Sequence, residues 1–207
     1  MRFCQLALPL ILPVLLTGCF TSVDPVFDDN QIVNDPRIEG HFTNQAQDGN
    51  ALKSTWWVRP SVDFQKHYEV WVTDGPATIE LIGTLFRLDK SLYLDLYPMH
   101  DSGQWHKPSE PQTESEMLHS VVFDPRHLIW KVEISDSSIS YAVPTRNGVG
   151  QAVGLLPELR TSVRAAGELA IILLPKSKKD AQECLRKFGD NPKIFDWKGK
   201  LIKKPEA

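Results

Sequence analysis

The chain has 207 residues, 42% of them hydrophobic and 24% charged, and its mean hydropathy is -0.26. That length and balance favour one globular domain with extras, able to build a core without disulfides. The formal charge of -3 and the pI of about 6.1 exclude the basic footprint of a nucleic-acid binder, and six Trp and nine Phe exclude global disorder.

At the N-terminus, Arg2 precedes an apolar run from Leu6 to Leu16 that contains Pro9 and Pro13. A membrane span needs about 20 apolar residues without such breaks. A short apolar stretch behind a positive residue predicts a secretory signal over residues 1–18. The run ends Leu16-Thr17-Gly18-Cys19, which resembles the lipobox of bacterial lipoprotein precursors. The resemblance implies cleavage between Gly18 and Cys19. It also implies a diacylglyceryl group on the Cys19 thiol, further acylation of the palmitate type, and a membrane partner reached through that lipid. Two or more chains give stable anchoring, at about 0.8 kcal/mol per buried methylene. Phe20, rather than Asp, follows the cysteine. In the lipoprotein family this implies export to the periplasmic face of the outer membrane, where the cell has two membranes. Processing removes Cys4 and acylates Cys19. Cys184 then remains as a lone thiol, so no internal disulfide is expected.

Residues 19–36, rich in Asp, Asn and Pro, read as a lipidated end and tether that need not be wholly free, since Val26 and Phe27 can dock on the body. Residues 37–150 read as an antiparallel β domain. Period-two alternation marks Ser54–Val62 and His67–Thr73, the second with Tyr68, Val70 and Val72 on one face and Trp71 on the other. Thr78–Leu88 is apolar on both faces, and Gly83 inside it predicts a bulge or bend. Asp89-Lys90 predicts the turn into Leu92–Tyr97. Residues 98–120 predict a long loop. His127–Ser135 and Ile139–Val143 predict a second hairpin around Asp136-Ser137.

Residues 151–207 read as a helix-strand-helix addition packed on the β domain. A first helix is expected over Pro157–Ala166, and a buried strand over Leu169–Leu174. Ser177 then caps a second helix with Ala181, Cys184, Leu185 and Phe188 on one face and Gly189 at its end. Lys198–Lys204 reads as an exposed basic tail. The fold class expected is β-rich (α+β), an antiparallel meander closing its edges in a small barrel, with a short α/β C-terminal addition. Ile38-Glu39-Gly40-His41-Phe42 resembles the first strand of lipocalins, with Phe42 where that family has Trp. With Tyr93-Leu94-Asp95-Leu96, the likeness extends to small lipocalin-like bacterial lipoproteins over residues 37–145. It implies a lipocalin-like barrel.

No motif for chemistry stands out. His100, Asp101, His106, His119 and His127 lack the tight spacing of metal ligands, so neither metal nor cofactor is expected. No Gly-x-Ser-x-Gly is present, and Asn147–Gly150 lacks a phosphate-cradle spacing. Glu80 and Asp95 offer a carboxylate pair, against a water-facing strand or a salt bridge to Arg87. Cys184, on an apolar helix face, is expected to be buried and inert.

Trp57, Trp71, Tyr93, Tyr97 and Trp130 are candidates for an aromatic ligand pocket, against simple core packing. Three functions stay open. The first is a non-catalytic, membrane-anchored envelope protein holding a small apolar or amphipathic ligand in the barrel. The second is an interaction module for an envelope protein partner, acting through the 98–120 loop. The third is a hydrolase.

Overall fold

A computed structural model describes residues 19–22, 24–46, 51–75, 77–99, 127–144, 163–166, 170–173, 175 and 177–205. The signal segment, all of the 98–120 loop beyond Met99, the start of the helix expected at Pro157 and the Asn147–Gly150 stretch lie outside the described residues, as do His100, Asp101, His106 and His119.

Eleven strands form one sheet. They are β1 (Cys19–Ser22), β2 (Gly40–Ala46), β3 (Ala51–Pro60), β4 (Tyr68–Asp74), β5 (Ala77–Leu88) and β6 (Ser91–Pro98), followed by β7 (His127–Ile134), β8 (Ser138–Pro144), β9 (Val163–Ala166), β10 (Ala170–Leu173) and β11 (Phe195–Lys203). Strands β2 to β8 form an antiparallel meander, β11 enters between β8 and β2, and β6 pairs with β7. The result is the expected closed eight-stranded barrel of lipocalin-like form.

Alternation decides what fills it. Phe42, Trp56, Val58, Tyr68, Val70 and Leu85 point inward, as do Leu94, Leu96, Val132, Ile139 and Tyr141. Trp130 stacks on Tyr141 at 4.8 Å and tilts against Trp56 at 5.3 Å. The bulge expected at Gly83 is absent, because Gly83 keeps register with Tyr68 on one side and Leu96 on the other. Its role is close packing. A Cβ there would lie 3.0 Å from Val70 Cγ2 and 3.5 Å from Leu94 Cδ1.

A second core lies outside the barrel wall. The one α-helix among the described residues, α1 (Lys178–Phe188), starts where Asp180 N donates to Ser177 Oγ at 3.2 Å. Its face of Ala181, Cys184, Leu185 and Phe188 packs with Phe86, Leu88, Tyr93, Ile129 and Phe195. This explains why β5 is apolar on both faces: Leu81 and Leu85 look into the lumen, while Phe86 and Leu88 look out under the helix. Tyr93 Oη donates to Leu185 O, and a Cβ at Gly189 would collide with that hydroxyl. At the helix C-terminal end, Lys131 and Ser91 donate to Asp190 Oδ1 at 2.6 and 2.9 Å, and Lys90 lies near Oδ2. The Lys131 ammonium, first among these, holds the Asp190 carboxyl well below the usual range.

Three expectations are corrected. Residues 19–36 are more than a tether, and the docking open to Val26 and Phe27 takes place. β1 pairs with β7 and β10, Val26 and Phe27 are buried, and Val26 O accepts from Gln182 Nε2 at 3.0 Å. Two apolar side chains outweigh their acidic surroundings because the outer core has room for them. Lys198–Lys204 is no exposed tail, since residues up to Lys203 form β11. Lys200 is exposed, while its neighbour Leu201 is buried in the lumenal core. The C-terminal segment therefore supplies one strand of the barrel as well as the expected helix packed outside it. Finally, Val163–Ala166 is strand β9, not the end of a helix, paired with β10. β-sheet pairing overrides a weak helical pattern there.

Candidate functional site

The sequence-level pocket residues fall in three places. Trp130 is in the lumen. Tyr93 lies under α1, where burial pushes its phenol pKa upward. Tyr97 is on the outer wall, tilted against His127 with ring centroids 4.5 Å apart. Only Trp57 and Trp71 are brought together, on the outer face of β3 and β4. These five residues do not line one cavity.

Around Trp57 and Trp71 the antiparallel register lays out three cross-strand rows. The first is His41, Trp57, Trp71 and Glu80. The second is Thr43, Thr55, Thr73 and Thr78. The third is Arg59, Glu69, Ile82 and Tyr97. Side chains directly opposite one another sit about 4.5–5.5 Å apart at Cβ, so each row touches along its length. His41 and Trp57 are parallel within 3° with centroids 5.3 Å apart, and Trp57 and Trp71 stack at 4.6 Å. Thr73 and Thr78 share a hydroxyl hydrogen bond at 3.1 Å.

The third row fixes the first. The Arg59 guanidinium lies 5.1 Å from the Trp57 centroid and 4.6 Å from that of Trp71. Arg59 Nε donates to Glu69 Oε2 at 2.8 Å, and its NH2 nitrogen lies 2.7 Å from the same oxygen. Ser61 Oγ and Val62 N donate to Glu69 Oε1. Burial pushes the Glu69 carboxyl upward, but Arg59 and the Val62 amide outweigh it and leave it below the ordinary value. Arg59 is thus spent on Glu69, and the rings are braced by a cation–π contact rather than left loose.

Between the aromatic and threonine rows runs an open groove of about 330 Å³. His41, Thr55, Trp56, Trp57, Trp71, Thr73 and Thr78 line it. Trp57 is 37% exposed, unusual for so large an apolar side chain. No family model, curated protein or solved structure matches this chain.

Two other polar sites are buried. Asp95 does not pair with Glu80 or Arg87. It faces Thr84 across β5 and β6, is 1% exposed, and lies 2.8 Å from His127 Nδ1 through Oδ2. Its Oδ1 has no hydrogen-bond partner among the described residues. Burial raises the Asp95 pKa, and His127 lowers it by less. Ser22 on β1 stands opposite His127, and no hydrogen bond joins their side chains among the described residues. In the lumen, Asn44 Nδ2 donates to Ser54 Oγ and Tyr141 Oη donates to Asn44 Oδ1, both at 3.1 Å, while Trp56 Nε1 has no partner. Cys184 is buried among apolar neighbours, and burial raises its thiol pKa to about 12.

Sequence reasoning missed Arg59, His41 and Thr78 as members of the site, and the pairing of Asp95 with His127. Alternation from Trp57 reaches Thr55 and Arg59 on the same face. His41 and Thr78 become neighbours only when strand register is known.

Proposed function

We propose that this chain is a lipid-anchored protein of the cell envelope, held at the membrane through Cys19, and a non-catalytic binding module. The ligand binds on the outer wall of β2 to β5 rather than in the lumen. The observation that carries this reading is the stacked, braced and exposed His41–Trp57–Trp71 row beside an open groove. Surfaces that keep large apolar rings in water mark interaction sites. Rings already held in place lose little conformational freedom on binding. The lumen, in contrast, is occupied by its own aromatic side chains.

A second reading has one observation in its favour. The unpartnered Trp56 Nε1–H and the nearby Asn44–Ser54–Tyr141 cluster would suit a lumenal ligand with an acceptor atom.

Indole NMR of the full chain in detergent micelles separates the two readings. On titration with lipid and aqueous extracts of envelope, outer-wall binding shifts the Trp57 and Trp71 indole signals, and lumenal binding shifts those of Trp56 and Trp130. No shift at any of them overturns the binding role. The anchor is tested apart from the barrel. Cys19→Ala is expected to abolish palmitate labelling and membrane fractionation, and persistence of both removes the lipoprotein assignment.

A further inference from the structure

Resting on the outer-wall reading, we propose that the ligand of the Trp57–Trp71 groove is a neutral saccharide chain.

The chemistry of the lining selects it by exclusion. Among the described residues, no Asp, Glu, Lys or Arg lines the groove. The nearest cation, Arg59, is paired with Glu69. Glu80, across from Trp71 in register, is exposed. Among the described residues, an anionic ligand meets no unpaired Lys or Arg there and one negative charge at the rim. A purely apolar ligand would cover the Thr55 hydroxyl and the one hydroxyl hydrogen that the Thr73–Thr78 pair does not use, and buried polar groups left unpaired cost free energy.

What fits is a molecule with apolar C–H faces and hydroxyls around its edge. A pyranose ring lays its C–H face against an indole, while its hydroxyls meet Thr oxygens, the His41 imidazole and the Glu80 carboxylate. The row runs across three strands, from His41 to Trp71, so it is long enough to offer successive contacts to successive rings of a chain. About 330 Å³ lies within the ordinary range for a small-ligand site. The preformed Thr73–Thr78 hydrogen bond and the Arg59 brace mean that neither row has to be ordered when the sugar arrives.

The test uses the full chain in detergent micelles and a panel of neutral α- and β-linked tetrasaccharides of hexose and N-acetylhexosamine. Calorimetry and indole NMR are read together. At least one tetrasaccharide is expected to bind saturably and to shift Trp57 and Trp71 but not Trp130. Trp71→Ala is expected to weaken it by about tenfold or more, since one of two ring contacts is removed. Trp71→Phe is expected to recover part of the loss, and Thr73→Val to weaken binding by less than Trp71→Ala does. Saccharide shifts confined to Trp56 and Trp130 overturn both the sugar and the outer wall. If no panel member binds while an envelope extract still shifts Trp57 and Trp71, the saccharide is wrong and the wall stands. Protease sensitivity of the active component then identifies a protein partner. Silence from panel and extract alike removes both readings.

Discussion

The barrel has two walls that solve the same problem in opposite ways. On the wall around β5 to β8 and β11, the outward side chains are Phe86, Leu88, Tyr93, Ile129 and Phe195, and α1 covers them together with Val26 and Phe27. On the wall of β2 to β4, the outward side chains include His41, Trp57 and Trp71, and no helix among the described residues covers them. Their exposed area is limited instead by stacking on one another and on Arg59. Apolar surface on a barrel is thus stabilised either by burial under another element or by lateral packing that leaves one edge in water. The first arrangement serves stability. The second keeps a surface available.

The largest expected effect tests that division directly. Phe188→Ala, on the covered wall, is expected to cost about 3–5 kcal/mol of folding stability, in the range for emptying a buried aromatic site. Trp57→Ala, on the bare wall, is expected to cost less than about 1.5 kcal/mol, because the ring is partly in water and loses chiefly its stacking. Urea unfolding followed by far-UV circular dichroism measures both. Equal costs would make the bare wall a structural core and end the comparison.

Asp95 comes next, at the edge of the covered wall. Its folded pKa is raised above the unfolded value of 3.8, so the folded state binds the proton more tightly. The sign follows from linkage: the ionised carboxylate disfavours folding above the folded pKa, and that penalty is relieved as pH falls through the window down to 3.8. Asp95→Asn removes this contribution and keeps a hydrogen-bonding group beside His127. The variant is expected to gain stability relative to the parent at pH 7 and to lose that advantage toward pH 4. A difference between the two proteins that does not change with pH would contradict the raised pKa.

A smaller effect is expected from the brace. Arg59→Ala is expected to cost under about 1 kcal/mol, because the ion pair with Glu69 is half exposed on the arginine side. Its clear signature is spectroscopic. The exciton couplet from stacked Trp57 and Trp71 should weaken in circular dichroism, while the melting temperature hardly moves. An unchanged couplet would show that the rings order themselves.

Cys184 gives the smallest signal, a null reaction. With its thiol pushed up to about 12 by burial, it is expected to resist alkylation at pH 8 in the native state and to react on unfolding. Rapid native labelling would mean that α1 detaches readily from the covered wall.

Much of the architecture was legible in particular residues. Asp89-Lys90 predicted the β5–β6 turn, Asp136-Ser137 the β7–β8 turn, and Ser177 and Gly189 the two ends of α1. Each is a local signal carried by backbone preference or a capping side chain. The candidate site was half legible. Trp71 was assigned to the face opposite Tyr68, Val70 and Val72, and that is its place. Which face was the lumen stayed open, because both faces of β3 and β4 carry aromatic side chains and alternation has no sign.

By itself, then, the sequence determined the alternation of the strands, the two hairpin turns, the helix face and the lipobox-like run at Cys19. These depend on residues within a few positions of one another. Tertiary structure alone decided that Phe195–Lys203 closes the barrel, that Val26 and Phe27 dock beneath α1, that Asp95 meets His127, and that His41, Trp57 and Trp71 form one row. Those outcomes depend on strand register and barrel closure. A shift of one residue in register would turn every side chain of a strand to the other face, and local pattern carries no record of which neighbour a strand will meet.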